Sequence, residues 1–300
     1  MDQLDWQCPE VETNLSALAL ALILGSAFIH ASWNLMAKKA LDGNSFIWLT
    51  SALILPMYAP LALYVLLTEK PVFGETQIVA LLGTTFLHLV YFICLQAAYK
   101  IGDYSVVYPV ARGTGPLLAT TGAIYFLHEE PSILALVGIF LIVFGVVVIS
   151  GGAKLLAPET PKKPIVYGLA TGICIAAYTL WDKYAVADAG VSPVLLDYMA
   201  TGGIGLLLLP YALSKKEQIS REWRENRANV VGVSALSPIS YLIVLYVLKS
   251  SPVYYVAPLR EMSILIAAYL GAKLLKEGDI LRRSVAATIM FCGVVALALG

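Results

Sequence analysis

The sequence is poor in charged side chains. Only 13% of its 300 residues are Asp, Glu, Lys or Arg, whereas soluble domains average about 25%. Hydrophobic residues make up 59% of the chain, and the mean hydropathy is +0.79. This composition excludes an ordinary soluble domain. The apolar runs of about 20 residues instead indicate a helical protein that crosses the membrane many times.

Cysteine and histidine are also scarce, with four and three residues. There is no Cys-x-x-Cys spacing, and Cys94, Cys174 and Cys292 fall in apolar runs, so we interpret them as small buried apolar residues. The histidines lack metal-ligand spacing, and no GxxxxGK[ST] motif for ATP binding occurs. Basic residues lie in short loops. The sequence therefore predicts no cofactor, no metal and no nucleic-acid partner.

Apolar runs bounded by charged residues, Pro or Gly predict ten spans of about 17–23 residues, enough to cross a hydrocarbon core of about 30 Å. Residues 1–14 form a short acidic tail without the basic region of a signal peptide, so the first span is expected to remain as a helix. Polar loops are predicted at 151–164 and 214–229. The predicted spans are Leu15–Met36, Phe46–Leu67, Ile78–Ala98, Ser105–Leu127, Ile133–Ile149, Ile165–Ala187, Val194–Leu213, Val230–Leu248, Val253–Leu275 and Leu281–Leu299.

The basic residues are distributed unevenly between the two sets of loops. The connections after the odd-numbered spans hold 15 Lys and Arg residues, whereas the other side, which includes both termini, holds three. Cytoplasmic loops are normally the ones enriched in Lys and Arg. The bias therefore predicts an inner or plasma membrane protein with both termini outside the cytoplasm.

The chain repeats itself at an offset of 148 residues, which requires no gap. Four ordered clusters match: Trp33-Asn34 with Trp181-Asp182, Arg112 with Arg260, Leu127-His128-Glu129 with Leu275-Lys276-Glu277, and Gly145-Val146-Val147 with Gly293-Val294-Val295. Five spans is an odd number, so the two similar halves must enter the membrane in opposite directions. The predicted fold class is an all-α membrane protein with ten transmembrane helices in two inverted five-helix repeats. The repeats cover 15–150 and 164–300, and the linker covers 151–163.

On these features the chain resembles the EamA type of the drug/metabolite transporter superfamily. The resemblance rests on the two five-helix halves, on Trp33-Asn34 at the end of span one, and on the Pro-, Arg- and Gly-rich start of span four. It also rests on Glu129 and Glu277, which each precede a last helix with Gly-Val-Val. The resemblance implies a transporter of a small metabolite and not an enzyme. It does not indicate the substrate, because the superfamily moves amino acids, sugars, nucleotide sugars and drugs.

One arginine interrupts the apolar span four, within the segment Tyr108–Pro116. Two prolines and two glycines in these nine residues predict a helix break on the Arg112 side, where an anionic ligand can approach. Arg112 and Arg260 each lie roughly 10 Å deep, and the inversion places one near each end of a central cavity. Because a guanidinium pairs bidentately with a carboxylate or phosphate, we predict a substrate with a carboxylate, phosphate or phosphonate group. The alternative is that an acid such as Glu261 holds each arginine.

Further residues are candidates for the same cavity. Glu261 and Asp182 are candidate proton sites, through which transport would be coupled to a proton gradient. An ion pair of Asp182 with Lys183 at the span end is the alternative. For several polar and aromatic residues, lining the pocket competes with interfacial or packing roles. These residues are Tyr108, Trp33, Asn34, Trp181, Tyr178 and Tyr91.

Two alternatives to a transporter of anions stay open. An exporter of apolar or cationic drugs would favour acids over arginines in its pocket. A membrane-embedded enzyme or sensor would need a polar cluster at one membrane face or a soluble output domain, and the sequence shows neither. The expected partners are the small-molecule substrate and the lipid bilayer, and the chain is expected to act as a monomer or a homodimer.

Overall fold

The computed structural model describes residues 16–101, 104–149, 162–275 and 280–300. The acidic tail, most of the linker and Glu277 lie outside these ranges. We call residues 16–149 the first half and residues 162–300 the second half. The described ranges form twelve helices: α1 (Ala17–Ala37), α2 (Gly43–Glu69), α3 (Glu75–Ile101), α4 (Tyr104–Phe126), α5 (Ile133–Ile149), α6 (Lys162–Ala187), α7 (Pro193–Leu207), α8 (Leu209–Ser214), α9 (Lys216–Ser250), α10 (Val253–Arg260), α11 (Met262–Leu275) and α12 (Ile280–Leu299).

The described part of the chain is all-helical and contains seven helices that are long and apolar enough to cross a membrane. α5 is a shorter apolar helix. Predicted span seven corresponds to α7 and α8, which are separated at Leu208, and predicted span nine corresponds to α10 and α11, which are separated at Glu261. The structure thus supports the all-α membrane class, while the count of ten spans stays a prediction.

The predicted polar loop at 214–229 is wrong, because most of this segment is helical. α9 has 35 residues, so at 1.5 Å per residue it is about 52 Å long. It therefore extends about 20 Å beyond a hydrocarbon core of about 30 Å. No Pro or Gly interrupts the helix between Lys216 and Val231, so its backbone hydrogen bonds continue through the polar segment.

The first loop of each half is held by the third long helix of the other half. The Glu222 carboxylate of α9 is 1% exposed and accepts the backbone N–H groups of Leu41 (3.0 Å) and Asp42 (2.9 Å), in the loop between α1 and α2. At the opposite end of the bundle, Gln77 of α3 donates to the carbonyl oxygen of Ala189, in the loop between α6 and α7 (2.9 Å). These two contacts interlock the halves.

Replacing Glu222 by Ala is expected to lower the free energy of unfolding by about 2–4 kcal/mol. The change leaves two backbone N–H groups without their acceptor, at about 1–3 kcal/mol each. Thermal unfolding in detergent measures the effect. Glu225→Ala is the matched control on the same helix, since its exposed ion pair with Arg221 (3.1 Å) contributes about 0–1 kcal/mol. Equal melting temperatures for the two variants would contradict this role of Glu222.

α5 and α12 are equivalent helices of the two halves, and they cross each other. A Cβ atom added to Gly293 would lie 2.8 Å from the carbonyl oxygen of Gly138, and one added to Gly138 would lie 2.7 Å from that of Gly293. The 148-residue offset maps this contact onto the one between Gly145 and Ala286. A Cβ atom added to Gly145 would lie 3.2 Å from the Ala286 oxygen. Gly138 and Gly145 therefore allow the two helices to pack closely, and the contacts repeat in antiparallel order.

The interface between α4 and α6 is also built on glycine. A Cβ atom added to Gly168 would lie 2.9 Å from the Val110 Cβ, and one added to Gly172 would lie 3.3 Å from the Ala111 oxygen. The repeat relates this interface to the one in which α1 packs against α10 and α11. There the offset places Leu20 and Leu24 where α6 has its two glycines. The two related interfaces are therefore different in sequence, and the one between α4 and α6 brings the backbones closer.

Candidate functional site

The helix break of the site lies beside Arg260, because α10 ends at this residue and α11 begins two residues later. The N–H group of Glu261 bonds to the carbonyl oxygen of Pro258 (3.0 Å), and Pro258 itself cannot donate a helical hydrogen bond. The break predicted on the Arg112 side is wrong, since α4 is continuous. Each proline of α4 removes only one hydrogen bond, and the close packing of α6 supports the helix.

The break turns Glu261 away from Arg260 and towards α4. Glu261 is 3% exposed, and its Oε2 lies 3.1 Å from the Nε of Arg112. Arg112 Nη2 also donates to the Ser263 hydroxyl at 3.4 Å. Arg112 therefore has a buried countercharge from the other half, which is the arrangement that the sequence left open as an alternative.

Arg260 lies in a different environment. Its Cζ lies 5.4 Å from the centroid of the Tyr241 ring, which is within the range of a cation–π contact. Among the described residues, no carboxylate oxygen lies within 4 Å of its guanidinium. A charged group at membrane depth is expensive without a countercharge. The guanidinium of Arg260 is therefore suited to receive an anion.

Two small cavities adjoin both arginines, and each has a volume of only about 10 Å³ that a water-sized sphere can reach. The larger lies between α4, α6 and α10, and Tyr178 and Thr179 form part of its wall. The smaller reaches α1 at Ser26 and His30. Pockets for drug-sized ligands have about 300–1,000 Å³, so this conformation is too closed for a whole metabolite.

The two arginines line the same cavities, although the sequence placed one near each end. At the predicted depth of about 10 Å from opposite faces of a core of about 30 Å, the two arginine backbones would be about 10 Å apart along the membrane normal. The long side chains of Arg112 and Arg260 can close this gap from both sides. The inverted repeat thus brings both guanidinium groups to the middle of the bundle.

Asp182 is completely buried on α6. The hydroxyl groups of Thr84 and Tyr241 donate to its two carboxylate oxygens, and His88 Nε2 lies 3.7 Å from its Oδ2. His88 Nδ1 lies 2.9 Å from the carbonyl oxygen of Thr84, which assigns the Nδ1 proton and leaves Nε2 facing the carboxylate. The ring of Tyr241 also contacts Arg260. A buried acid is thus joined to the candidate anion site by one tyrosine.

The alternative ion pair between Asp182 and Lys183 does not form. Lys183 Nζ donates instead to the carbonyl oxygens of Leu248 (2.8 Å) and Ser251 (3.1 Å), at the end of α9. Successive residues of an α-helix point about 100° apart. Asp182 and Lys183 therefore face different neighbours although they are adjacent in the sequence.

Glu129 holds the start of α10 close to Lys183. Its Oε1 accepts the N–H of Val253 (2.7 Å) and its Oε2 accepts that of Tyr254 (3.1 Å). Burial raises the pKa of the Glu129 carboxyl group, and the two N–H groups and the charge of Lys183 act in the opposite direction. Glu129 thus closes the connection between two elements and does not line the cavities.

The residues predicted to line the pocket fall into different places. Of those whose side chains are described, Tyr178 lines the larger cavity, and none of the others lines either cavity. Tyr91 lies behind it, with 5.4 Å between the ring centroids. Asn34 makes no side-chain hydrogen bond within the described part of the chain and lies outside both cavity walls. Tyr108 is on α4, and its side chain lies outside what the structure describes.

The two tryptophans of the repeat occupy related interfaces. Trp33 of α1 donates its indole N–H to the Ser240 hydroxyl of α9 (3.0 Å). Trp181 of α6 donates to the carbonyl oxygen of Ala80 of α3 (2.9 Å). Each tryptophan therefore bonds to the third long helix of the other half. Neither tryptophan lines the two cavities.

Sequence reasoning missed three residues around Asp182. Thr84 and His88 are four residues apart on α3, so they share one helix face, and this pattern of polar residues in an apolar span was a usable signal. The repeat gave no help, because the offset places Gly232 and Leu236 at the corresponding positions. Tyr241 is one of 17 tyrosines, and nothing in its local sequence distinguishes it.

Two thiol groups lie close together within the described ranges. The sulfur atoms of Cys94 and Cys174 lie 3.9 Å apart, between α3 and α6, as free cysteines. Within the described ranges, no group of three or more His, Cys, Asp or Glu side chains is arranged to hold a metal ion. The polar clusters around the arginines and Asp182 are thus the ones that can carry function.

Comparison with known proteins agrees with this architecture. A model of the EamA-like transporter family matches residues 17–151 and again residues 162–299. A solved crystal structure, described only as that of a protein, has a similar fold, with a TM-score of 0.71, 15% sequence identity, and coverage of 94% of this chain and 98% of its own. Comparison with curated protein sequences gives no match. Because the two family matches together cover almost the whole sequence, the chain belongs to the EamA-like transporter family of multi-pass membrane proteins.

Proposed function

We propose that this protein is a secondary transporter of the inner or plasma membrane that binds a small anionic metabolite at Arg260. The observation that carries the proposal is the Arg260 guanidinium, which borders both cavities, contacts the Tyr241 ring and has no carboxylate within 4 Å among the described residues. A carboxylate, phosphate or phosphonate group would supply the countercharge in a bidentate contact.

Arg112 has a supporting role in this proposal. It was the first candidate from the sequence, but the carboxylate of Glu261 already lies 3.1 Å from its Nε. The pair joins α4 to the break between α10 and α11, so it links the two halves next to the cavities. Its expected contribution is to keep Glu261 away from Arg260.

Transport would proceed by alternating access between the two halves. The cavities are too small for a metabolite in this conformation, so binding requires an opening. The two related interfaces supply the alternatives: α4 packs closely on Gly168 and Gly172 of α6, whereas α1 has Leu20 and Leu24 at these positions. We propose that one of these two interfaces is closed in each state of the transport cycle, and that the cycle alternates between them.

The charges around the cavities favour anions over the rival substrates, apolar or cationic drugs. An exporter of cations needs an available carboxylate in its pocket. Both oxygens of Asp182 accept hydrogen bonds from hydroxyl groups, and Glu261 lies against Arg112. The residues that border the cavities therefore carry an excess of positive charge, contributed by Arg260.

Thermal unfolding of the purified protein with anionic, zwitterionic and cationic metabolites tests the proposal. A ligand present at 100 times its Kd stabilises the folded state by about 2.7 kcal/mol. We expect stabilisation by compounds with a carboxylate or phosphate group, compared at equal ionic strength. Stabilisation by cations alone would contradict the anion proposal and favour the drug exporter.

We further propose Asp182, with His88, as the proton site that couples transport to a proton gradient. His88 Nε2 faces the Asp182 carboxylate, so a proton can reside on either group. Tyr241 then connects this site to Arg260, because its hydroxyl bonds to Asp182 while its ring contacts the guanidinium. Glu261, the other acid that the sequence suggested, is already held against Arg112.

Replacing Asp182 by Asn is expected to abolish the response of transport to a pH gradient, because an amide does not take up or release the proton. For an anion identified by the binding screen, accumulation in proteoliposomes is measured with and without the gradient. Each coupled proton changes the accumulation ratio about tenfold per pH unit. Glu261→Gln is the comparison. Asp182 would be excluded as the proton site if the pH gradient stimulated transport fully in Asp182→Asn. It would also be excluded if this stimulation were lost only in Glu261→Gln.

A further inference from the structure

α10 carries Arg260 as its last residue and has only eight residues. The seven residues before Arg260 are all buried, and the N-terminal end of the helix has no side-chain cap of its own, because Pro252 precedes it. A helix this short has few internal hydrogen bonds. The position of Arg260 therefore depends on the contacts that hold the start of α10.

The contact at the start of α10 comes from the first half. Glu129 binds both leading N–H groups of the helix, those of Val253 (2.7 Å) and Tyr254 (3.1 Å). Its own backbone is fixed to α4: the N–H of Glu129 bonds to the Ala123 oxygen (3.2 Å), after His128 turns the chain with a φ of 54°. Glu129 is thus a rigid extension of α4 that reaches across to the second half.

Lys183 completes the same arrangement from α6. It donates to Leu248 and Ser251 at the end of α9, directly before α10. An anion at a helix N-terminus and a cation at a helix C-terminus both complement the helix dipole. The turn between α9 and α10 is therefore held at each side by a charge of the favourable sign.

The repeat shows that this arrangement is not the same at the other end of the bundle. The 148-residue offset keeps the glutamate, since Glu129 corresponds to Glu277, but it replaces Lys183 by Leu35. Glu277 lies outside the described ranges. The combination of glutamate and lysine is therefore particular to the helix that carries Arg260.

We propose that Glu129 is a positioning residue for Arg260, which sets the depth of the guanidinium in the cavity by holding the N-terminus of α10. The proposal rests on the proposed function, in which Arg260 binds the anion. α10 is about 12 Å long at 1.5 Å per residue, so a displacement at its first residues moves its last residue as well. Release of Glu129 frees α10 and exposes Arg260.

The test is Glu129→Gln in the full chain, purified in detergent, with two measurements that need no ligand. Hydrogen exchange measures the protection of α10. Mass spectrometry measures how fast phenylglyoxal, a reagent for arginine, modifies Arg260 and Arg112. We expect exchange at α10 to rise about tenfold or more, because two hydrogen bonds to a charged acceptor are weakened. Arg260 is expected to react several times faster, with Arg112 unchanged.

Glu222→Gln is the matched control, since Glu222 holds two backbone N–H groups in the same way at the opposite end of the bundle. It is expected to raise exchange around Leu41 and Asp42 and to leave α10 and Arg260 unchanged. Glu129→Asp, which keeps the charge, is expected to recover part of the protection. Recovery of Arg260 protection in that variant supports positioning.

Two results would overturn the proposal. In the first, Glu129→Gln matches the unmodified protein in both measurements. In the second, exchange at α10 rises while Arg260 reacts at its original rate, which would make Glu129 a purely structural cap. Failure of the proposed function is a separate outcome. If Arg260 responds as expected but no anion stabilises the protein, the positioning of Arg260 holds and its role in anion binding does not.

Discussion

Arg260→Gln is expected to lower the affinity for a stabilising anion by about 30-fold or more. Truncating one partner of a buried, hydrogen-bonded charge pair costs about 2–5 kcal/mol, and Arg112, which lines the same cavities, is already paired with Glu261. The measurement is the ligand concentration that gives half of the maximal thermal shift. Arg260→Lys keeps the charge but loses the bidentate geometry, so an intermediate affinity is expected.

The control for this result must treat Arg112 and Glu261 together. Arg112→Gln alone leaves the Glu261 carboxylate buried without its partner, which costs about 3–5 kcal/mol. Glu261 would then also be available to Arg260, the preceding residue. The double variant Arg112→Gln with Glu261→Gln removes both charges and is expected to keep most of the anion affinity. Equal losses in the double variant and in Arg260→Gln would show that both arginines bind the anion.

Gly293→Ala is expected to lower the free energy of unfolding by about 1–3 kcal/mol, the usual cost of overpacking, and Gly293→Val by more. The added Cβ would lie 2.8 Å from the Gly138 oxygen and 2.9 Å from the backbone nitrogen of Ile142. Backbone atoms of a packed helix cannot move aside as a flexible side chain can. The separation of α5 and α12 must therefore increase where the two halves cross.

Gly25→Ala on α1 is the matched control for this effect. A Cβ atom added there meets nothing within 4 Å, and alanine favours a helix over glycine by up to about 1 kcal/mol. We expect unchanged or slightly higher stability in Gly25→Ala, measured by thermal unfolding and by the fraction of monodisperse protein. If Gly293→Ala unfolds at the same temperature as Gly25→Ala, the crossing is looser than the structure indicates.

The sequence predicted the relation between the halves better than it predicted the partners of charged groups. One offset related whole clusters, and the same offset maps the contact of Gly138 with Gly293 onto that of Gly145 with Ala286. Contacts of this kind follow from the symmetry between the two halves, and a repeat in the sequence indicates that symmetry directly. The partner of Glu261 does not follow from symmetry, because the offset places Gly113 at the corresponding position.

Adjacency in the sequence was a poor guide to ion pairing. Glu261 follows Arg260 but contacts Arg112, and Lys183 follows Asp182 but contacts the end of α9. The reason is geometric, since neighbouring residues of a helix face different sides. Only the packing of the other helices decides which groups meet, and a local pattern does not contain that information.

The helix break was misplaced because glycine and proline allow a break without requiring one. In α4 the glycines serve close approach: a Cβ atom added to Gly115 would lie 2.9 Å from the Ile175 side chain of α6. The break occurs instead shortly after Pro258, between α10 and α11. There the side chain of Arg260 contacts α9, whereas that of Glu261 contacts α4. Composition alone does not separate these two uses of the same residue types.

The shared cavity also has a consequence for how such a chain can diverge after duplication. Two copies of the first half would bring two Arg112 residues and, at the position of Glu261, only Gly113. Two copies of the second half would bring an acid beside each arginine. Fusion of the halves into one chain permits the two arginines to differ. Arg112 is neutralised by Glu261 and joins the halves, while in the proposed function Arg260 stays available for the substrate.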